Sequence, residues 1–364
     1  MRCIKAPKSA PWSKCGEGQR WLTARSFAFK SSLIGHAARA MRAGACAGDL
    51  MPEILILERE ADTYATRLRQ EFHGHHIHAA TSEDEALAVC GNAEILIALA
   101  HEVSQKLIHD MPRLHWIAAL TTGTDHLDTL EDLPAGLIVT SGRGIHGPQM
   151  AELAFMYMIA LSRNLRGILA NQAHQAWERR PQRLLLGKSA VLVGVGAISE
   201  DVALRCKAFG METLGVSDSR SEARGFDRIV PRARLHEAAA EADFLIVLVP
   251  YSSRTHHMID DAVLSAMKQS AILINIARGN VVDETALIRL LQHGKIAGAG
   301  LDVYAEEPPR PDNPLWSMDN VIMTPRIGGM SDIYAQQALP LLVDNMRAYL
   351  EGRIDDIQNI VRRP

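Results

Sequence analysis

The segment Ala190–Ile198 reads AVLVGVGAI, an apolar run that ends in Gly194-Val195-Gly196. A chain with this pattern leaves a buried strand, turns tightly, and enters a helix whose free N–H groups face an anion. Gly194 permits the turn, and Gly196 lets the backbone approach a pyrophosphate. Position 199, where Gly or Ala is usual, holds Ser199, which is small enough to keep helix and strand close. Asp218 ends the next apolar run, METLGVSDSR. That is near the spacing of roughly 20 residues at which a carboxylate meets the ribose hydroxyls and repels a 2′-phosphate. The two features predict a Rossmann-type dinucleotide site that takes NAD. Arg220 pulls the other way, because it can pair with a 2′-phosphate, and keeps NADP open. The bland alternative is a structural glycine turn beside a surface aspartate.

Composition narrows the partners. The formal net charge of −3 gives no basic field for nucleic acid or an anionic membrane. No apolar run is long enough for a membrane span. Five cysteines without a CxxC pair predict a reducing, cytoplasmic setting. Residues 1–50 differ from the rest: they are rich in Lys and Arg, and Glu17 and Asp49 are their only acids. They read as an upstream extension of a chain whose true start is Met51, as a transit peptide, or as a disordered tail.

From Glu53 onward short apolar strands alternate with amphipathic helical stretches. Strands are expected at 54–57, 76–79, 94–98, 116–120 and 137–140, then at 190–195, 213–217, 244–249, 271–275, 298–302 and 321–323. Such βα repetition predicts parallel sheets covered by helices. Between the two sets lies a long apolar helix over 150–165, expected to be buried, with Phe155, Met158 and Ile159 in its core stripe. Asp283 should cap, and Gly294 end, a helix over 284–293. A last helix over 332–350 should kink at Pro340 and pack on the first half. The histidine-rich HGHHIH stretch at 73–78 reads as a solvated turn and not a metal site, and His256 and His257 as structural or adenine-side and not catalytic.

In open α/β sheets ligands bind beyond the carboxyl ends of the strands. Three successive ends carry Arg278, then Asp302 with Glu307, then Arg326. An arginine in such a crevice can grip a carboxylate and polarise a neighbouring carbonyl.

These stretches resemble the D-isomer-specific 2-hydroxyacid dehydrogenase family over roughly residues 53–352. The landmarks are VGVGAIS, Asp218, LIVLVPYSSRTHHMI, INIARGNVVDETAL, GAGLDVYAEEP, NPLWSMDNVIMTP and the HGPQMAE helix start. The resemblance implies an NAD-binding Rossmann domain (150–331) inserted in a flavodoxin-like substrate domain (51–149 plus 332–364). It implies hydride transfer between nicotinamide and a small 2-oxo or 2-hydroxy acid, and a homodimer. By the same resemblance Arg278 binds substrate, Glu307 orients the catalytic residue, and Asp302 holds the nicotinamide carboxamide. Ala197 and Ile198 contact pyrophosphate, while Ile276 and Ala277 line the nicotinamide. Pro250 and Gly328 fall among the cofactor contacts, His146 lies near the substrate, and the Leu99–Ala100 backbone receives its carboxylate. One position departs. Where the family has a histidine general acid after Thr-Pro, this chain has Arg326, and a guanidinium does not donate a proton near neutral pH. Three outcomes are open: electrostatic help from Arg326 with water as acid, service by another histidine such as His146, or binding with little turnover. The first two describe a reductase of glyoxylate- or hydroxypyruvate-like substrates. The last describes an NAD(H)-binding regulatory protein.

Overall fold

The computed structural model describes residues 51–362. The readings of residues 1–50 lie outside the described residues. The first half runs β1 (Glu53–Leu57), α1 (Ala61–Glu71), β2 (Ile77–Ala80), α2 (Glu83–Val89), β3 (Ala93–Ala98), α3 (Gln105–His109), β4 (Trp116–Ala119) and β5 (Ile138–Ser141). All four residues of β4 and of β5 are buried, as strands covered on both faces must be.

The chain then crosses to the second half through α4 (Gly147–Ser162) and α5 (Leu165–Ala173). The sequence reading expected one buried helix here. Instead Asn164 adopts a left-handed conformation (φ 49°) and its side chain accepts from Gly167 N, which ends one helix and caps the next. Phe155 and Met158 are buried as expected, but Ile159 is 42% exposed and Met156 equally so. The apolar character on several sides is therefore partly a surface feature. Next come β6 (Ser189–Val193), α6 (Ala197–Ala208), β7 (Glu212–Val216), β8 (Arg228–Val230), α7 (Leu235–Glu241), β9 (Phe244–Val247), α8 (Asp261–Ala266), β10 (Ile272–Asn275), α9 (Glu284–Gln292), β11 (Gly298–Leu301) and β12 (Val321–Met323). Asp283 caps α9 by accepting from Ala286 N at 3.0 Å. The short strand β8 was not expected.

The chain returns through α10 (Tyr334–Leu350) and ends in β13 (Ile360–Arg362). Pro340 lies inside α10, and Gln336, whose carbonyl loses its helical partner there, is on an exposed position open to water. Ala335, Ala338, Leu342 and Met346 of α10 join the core of the first sheet, and Tyr349 stacks on Trp116 at 5.0 Å. The first sheet has the order β13-β5-β4-β3-β1-β2, parallel except for β13, an unexpected antiparallel edge strand. The order 2-1-3-4-5 within it is flavodoxin-like. The second sheet has the order β12-β11-β10-β9-β6-β7-β8 and is wholly parallel. Its connections reverse between β6 and β9, the Rossmann switch point where a crevice opens. Each sheet carries a core on both faces.

Candidate active site

Gly194 follows β6 with φ 100°, and a Cβ there would sit 2.8 Å from Val249 Cγ1 and 3.1 Å from the Leu248 carbonyl. Glycine is therefore required by the protein itself. At Gly196 a Cβ would meet nothing within 4 Å, so the space beside that backbone is open to a ligand. Ala197 and Ile198 open α6, where first-turn N–H groups have no helical partner. Ser199 does more than stay small. Its hydroxyl donates to Gly194 O (2.5 Å) and accepts from Gly196 N (3.2 Å), locking the turn onto the helix. Asp218 is exposed beyond β7, with Oδ1 accepting Arg232 N at 2.8 Å. Arg220 is paired with Glu200 Oε1 at 2.7 Å. Pro250 lies past β9, its carbonyl held by Thr255 Oγ1 at 2.8 Å. His256 and His257 stack on each other just beyond, ring centroids 4.0 Å apart.

Since β6, β9 and β10 are neighbours, the strands that lead to Gly196 and Arg278 lie two strand spacings apart, about 10 Å. Ile276 and Ala277 are buried at the end of β10. Arg278 then reaches out to the first sheet. Its Nε donates to Asp125 Oδ2 at 2.7 Å and its Nη1 to Ala277 O at 2.7 Å. Its Nη2 lies over Gly123, where a Cβ would fall only 1.6 Å away. A guanidinium has five N–H groups, so three remain for a ligand. Gly279 lets this turn approach Tyr304, whose carbonyl oxygen would be 1.7 Å from a Cβ.

Asp302, 3% exposed, anchors the Thr324–Gly329 turn: Oδ1 accepts Thr324 Oγ1 (2.5 Å) and Ile327 N (2.9 Å), and Oδ2 accepts Gly328 N (2.9 Å). Burial pushes its carboxyl upward against these bonds. The turn holds Arg326 in a left-handed conformation (φ 54°), uncommon for a residue with a side chain. From there Arg326 Nη1 ion-pairs with Glu307 Oε2. Glu307 thus meets a guanidinium where an imidazole was the family expectation.

His146 is 5% exposed and fully engaged. Tyr334 Oη spends its one proton on Leu120 O (2.9 Å), so it accepts from His146 Nε2 (2.9 Å). Nδ1 is then bare and accepts from Thr122 Oγ1 (2.7 Å). Burial lowers the ring to about 4. A buried, neutral imidazole with both nitrogens engaged carries no imidazolium proton at pH 7, which counts against His146 as a substitute acid.

Several groups here escaped the sequence reading. Ala100, which the sequence did place on the substrate side, is 2% exposed and gives its N–H to Thr121 Oγ1 (3.4 Å), whereas Gly123, which it did not single out, is the backbone lying against Arg278. The signal was a glycine directly past a buried strand, in TTGTD. His101 follows Ala100, and burial together with the nearby Arg326 charge lowers its ring. Tyr334 and Asp125 carried no local signal. In the histidine-rich stretch, His75 Nδ1 meets Pro52 O and His78 meets Glu53. A cavity of about 390 Å³ lies around the amino ends of β6 and β7, away from the crevice, and is lined in part by the Lys207–Asp227 ion pair. No helix among the described residues is long and apolar enough to cross a membrane.

Fold and site together define a dinucleotide-binding α/β protein with an arginine-lined crevice between two sheets. Residues 155–328 match the model of the D-isomer specific 2-hydroxyacid dehydrogenase NAD binding domain. The chain is 33% identical to a glyoxylate reductase of Pyrococcus horikoshii over 270 residues, 71% of this chain and 80% of that one. It is 31% identical over 290 residues to a D-3-phosphoglycerate dehydrogenase of Methanocaldococcus jannaschii, covering 78% of this chain but 54% of that protein, about half its length. The crystal structure of a D-isomer specific 2-hydroxyacid dehydrogenase family protein from Aeromonas salmonicida superposes with a TM-score of 0.79 at 30% identity, over 85% of this chain and 99% of that one. The chain belongs to the D-isomer specific 2-hydroxyacid dehydrogenase family and contains its NAD-binding domain.

Proposed function

We propose that the protein is an NAD-dependent oxidoreductase of small 2-oxo or D-2-hydroxy acids, working slowly because its crevice lacks a proton donor at the family's position. The observation that carries this is Arg278, held between Ala277 O and Asp125 with three N–H groups left over. That arrangement fits a substrate carboxylate and its adjacent carbonyl oxygen. The second sheet with its flanking helices (150–331) serves as the cofactor domain, and the first sheet (51–149 with 332–364) as the substrate domain.

The open space at Gly196 and the cap at Ser199 fit a pyrophosphate, with Gly194, Ala197 and Ile198 beside it. Asp218 would take the ribose hydroxyls, and the engagement of Arg220 by Glu200 favours NAD over NADP. Pro250, Ile276, Ala277, Asp302 and Gly328 complete the cofactor side. When bound, the nicotinamide supplies or accepts the hydride at C2 of the acid. Arg278 clamps and polarises the substrate against Gly123, and Leu99 and Ala100 lie on the substrate side. Arg326, neutralised in part by Glu307, steadies negative charge on the carbonyl oxygen while water supplies the proton.

Arg326 also favours a second reading, an NAD(H)-binding regulatory protein with little turnover. Two measurements on one preparation separate them: fluorescence titration with NADH, and NADH oxidation with glyoxylate. Binding with measurable oxidation supports the enzyme, binding alone supports the regulator, and failure to bind NADH refutes both. A cytoplasmic homodimer completes the proposal. Met156, Ile159, Ile168, Leu169, Leu184 and Leu186 are 42–67% exposed, more apolar surface on α4, α5 and the following loop than a lone chain usually leaves bare.

A further inference from the structure

Hydride transfer to a carbonyl leaves its oxygen in need of a proton, and the crevice is poor in groups that give one. Arg326 keeps its protons, and Glu307 is bound to it. The hydroxyls around the crevice are committed: Thr121 to Gly123 O, Thr122 to His146, and Tyr304 to the carbonyls of Leu301 and Thr324. Burial and the Arg326 charge hold the His101 ring toward its neutral form. Such a site suits an acceptor that brings its own proton. An imine nitrogen is far more basic than a carbonyl oxygen and takes that proton from water before it binds. The carboxylates point the same way. Asp125 Oδ2 accepts Arg278 Nε at 2.7 Å, and its Oδ1 has no hydrogen-bond partner among the described residues. An ionised carboxylate only accepts. A carbonyl oxygen has no use for it, whereas an N–H⁺ does. Arg326 is likewise matched by Glu307, so the two guanidiniums leave no net positive charge to repel an iminium.

We infer that the protein reduces 2-imino acids to amino acids, with Arg278 taking the carboxylate and Asp125 the protonated nitrogen on the next carbon. The inference rests on the proposed oxidoreductase reading and gives it a further substrate class. NADH remains the hydride donor. In the step a C–H bond forms at C2, the C=N π pair becomes a lone pair on nitrogen, and NADH is oxidised to NAD⁺. The nitrogen keeps the proton it carried in, and the new amine takes another from water after release. No protein acid takes part, so Arg326 at the position of the family's histidine costs this reaction nothing. For a 2-oxo acid the same π pair falls on oxygen as an alkoxide, and the missing acid is felt in full.

The test is NADH oxidation by the full chain with 1-pyrroline-2-carboxylate and with pyruvate, a ketone beside the same carboxylate. The expected kcat/KM for the imino acid is about 10²-fold or more above that for pyruvate, the worth of an acid that only the ketone needs. Arg326→His, which restores an acid, should cut that ratio by about 10²-fold. A second measurement needs no turnover. D-proline and (R)-tetrahydrofuran-2-carboxylate share a ring and a carboxylate but differ in a charged nitrogen against an ether oxygen. In calorimetric titration of the protein D-proline should bind about tenfold tighter, the worth of one charge-assisted hydrogen bond. Asp125→Asn should erase the difference, while the affinity of the ether acid reports whether Arg278 has kept its place. A ratio near one or below, a ratio that Arg326→His does not move, or equal binding of the two ring acids overturns the inference. So does an imino acid left unreduced by a chain that binds NADH. Failure to bind NADH fells the oxidoreductase reading itself.

Discussion

His146 makes the stability of this protein depend on pH in a calculable way. Its ring is buried between Thr122 and Tyr334 and titrates at about 4 in the folded chain, against about 6.5 in an unfolded one. The unfolded chain therefore binds the proton first as pH falls, and stability is lost between about pH 6.5 and 4, with the full contribution present above pH 7. A shift of this size is worth about 3 kcal/mol in total, of which about 2 kcal/mol is lost between pH 7.5 and 5.0. Against a typical reserve of about 5–15 kcal/mol this is a large fraction. His146→Asn keeps a donor for Tyr334 and an acceptor for Thr122 but does not titrate. Urea unfolding of both proteins at pH 7.5 and 5.0 should show the native chain losing about 2 kcal/mol more than the variant. Every other titrating group is common to the two and cancels in the difference. Parallel losses would falsify the buried neutral assignment and, with it, the case against His146 as a proton donor.

Arg326→His should raise turnover of the oxo acid by about 10²-fold or more, because a positioned general acid is worth about 10²–10⁴. Histidine tolerates the left-handed conformation of that position, and a pH–rate profile should gain a falling alkaline limb. Gly123→Ala places a Cβ where Arg278 Nη2 now lies. The displaced guanidinium should raise KM for the oxo acid about tenfold to 10²-fold, while NADH titration stays as in the native chain. Asp218→Asn keeps the bond from Arg232 but removes the charge. The NADH-to-NADPH preference, measured as a ratio of dissociation constants, should fall by about tenfold, as expected for one charge-assisted hydrogen bond.

What could be read from the sequence was what is local. The Gly194–Gly196 turn, Asp218 and the three strand-end clusters are each decided within a dozen residues of chain. The first-sheet residues that meet Arg278 are not. Asp125 is joined to it across 153 positions, and His146 to Tyr334 across 188, with no spacing pattern to announce either pair. Asn164 in α4–α5 looked like one polar residue in a helical run, but its left-handed backbone ends one helix and starts the next. Ser199 looked like a tolerated replacement in the glycine pattern, and its hydroxyl turns out to latch the turn. Strand β13 pairs antiparallel with β5 across a long detour, so a reading built on βα repeats could not place it.

The three-point hold on Arg278 has a thermodynamic consequence. A free arginine side chain gives up rotamer entropy worth about 2 kcal/mol when it is immobilised. Here Asp125, Ala277 and the close approach of Gly123 fix the guanidinium within the unliganded chain. That ordering cost is met during folding, so an arriving carboxylate finds a preorganised fork and exchanges only its hydration for hydrogen bonds.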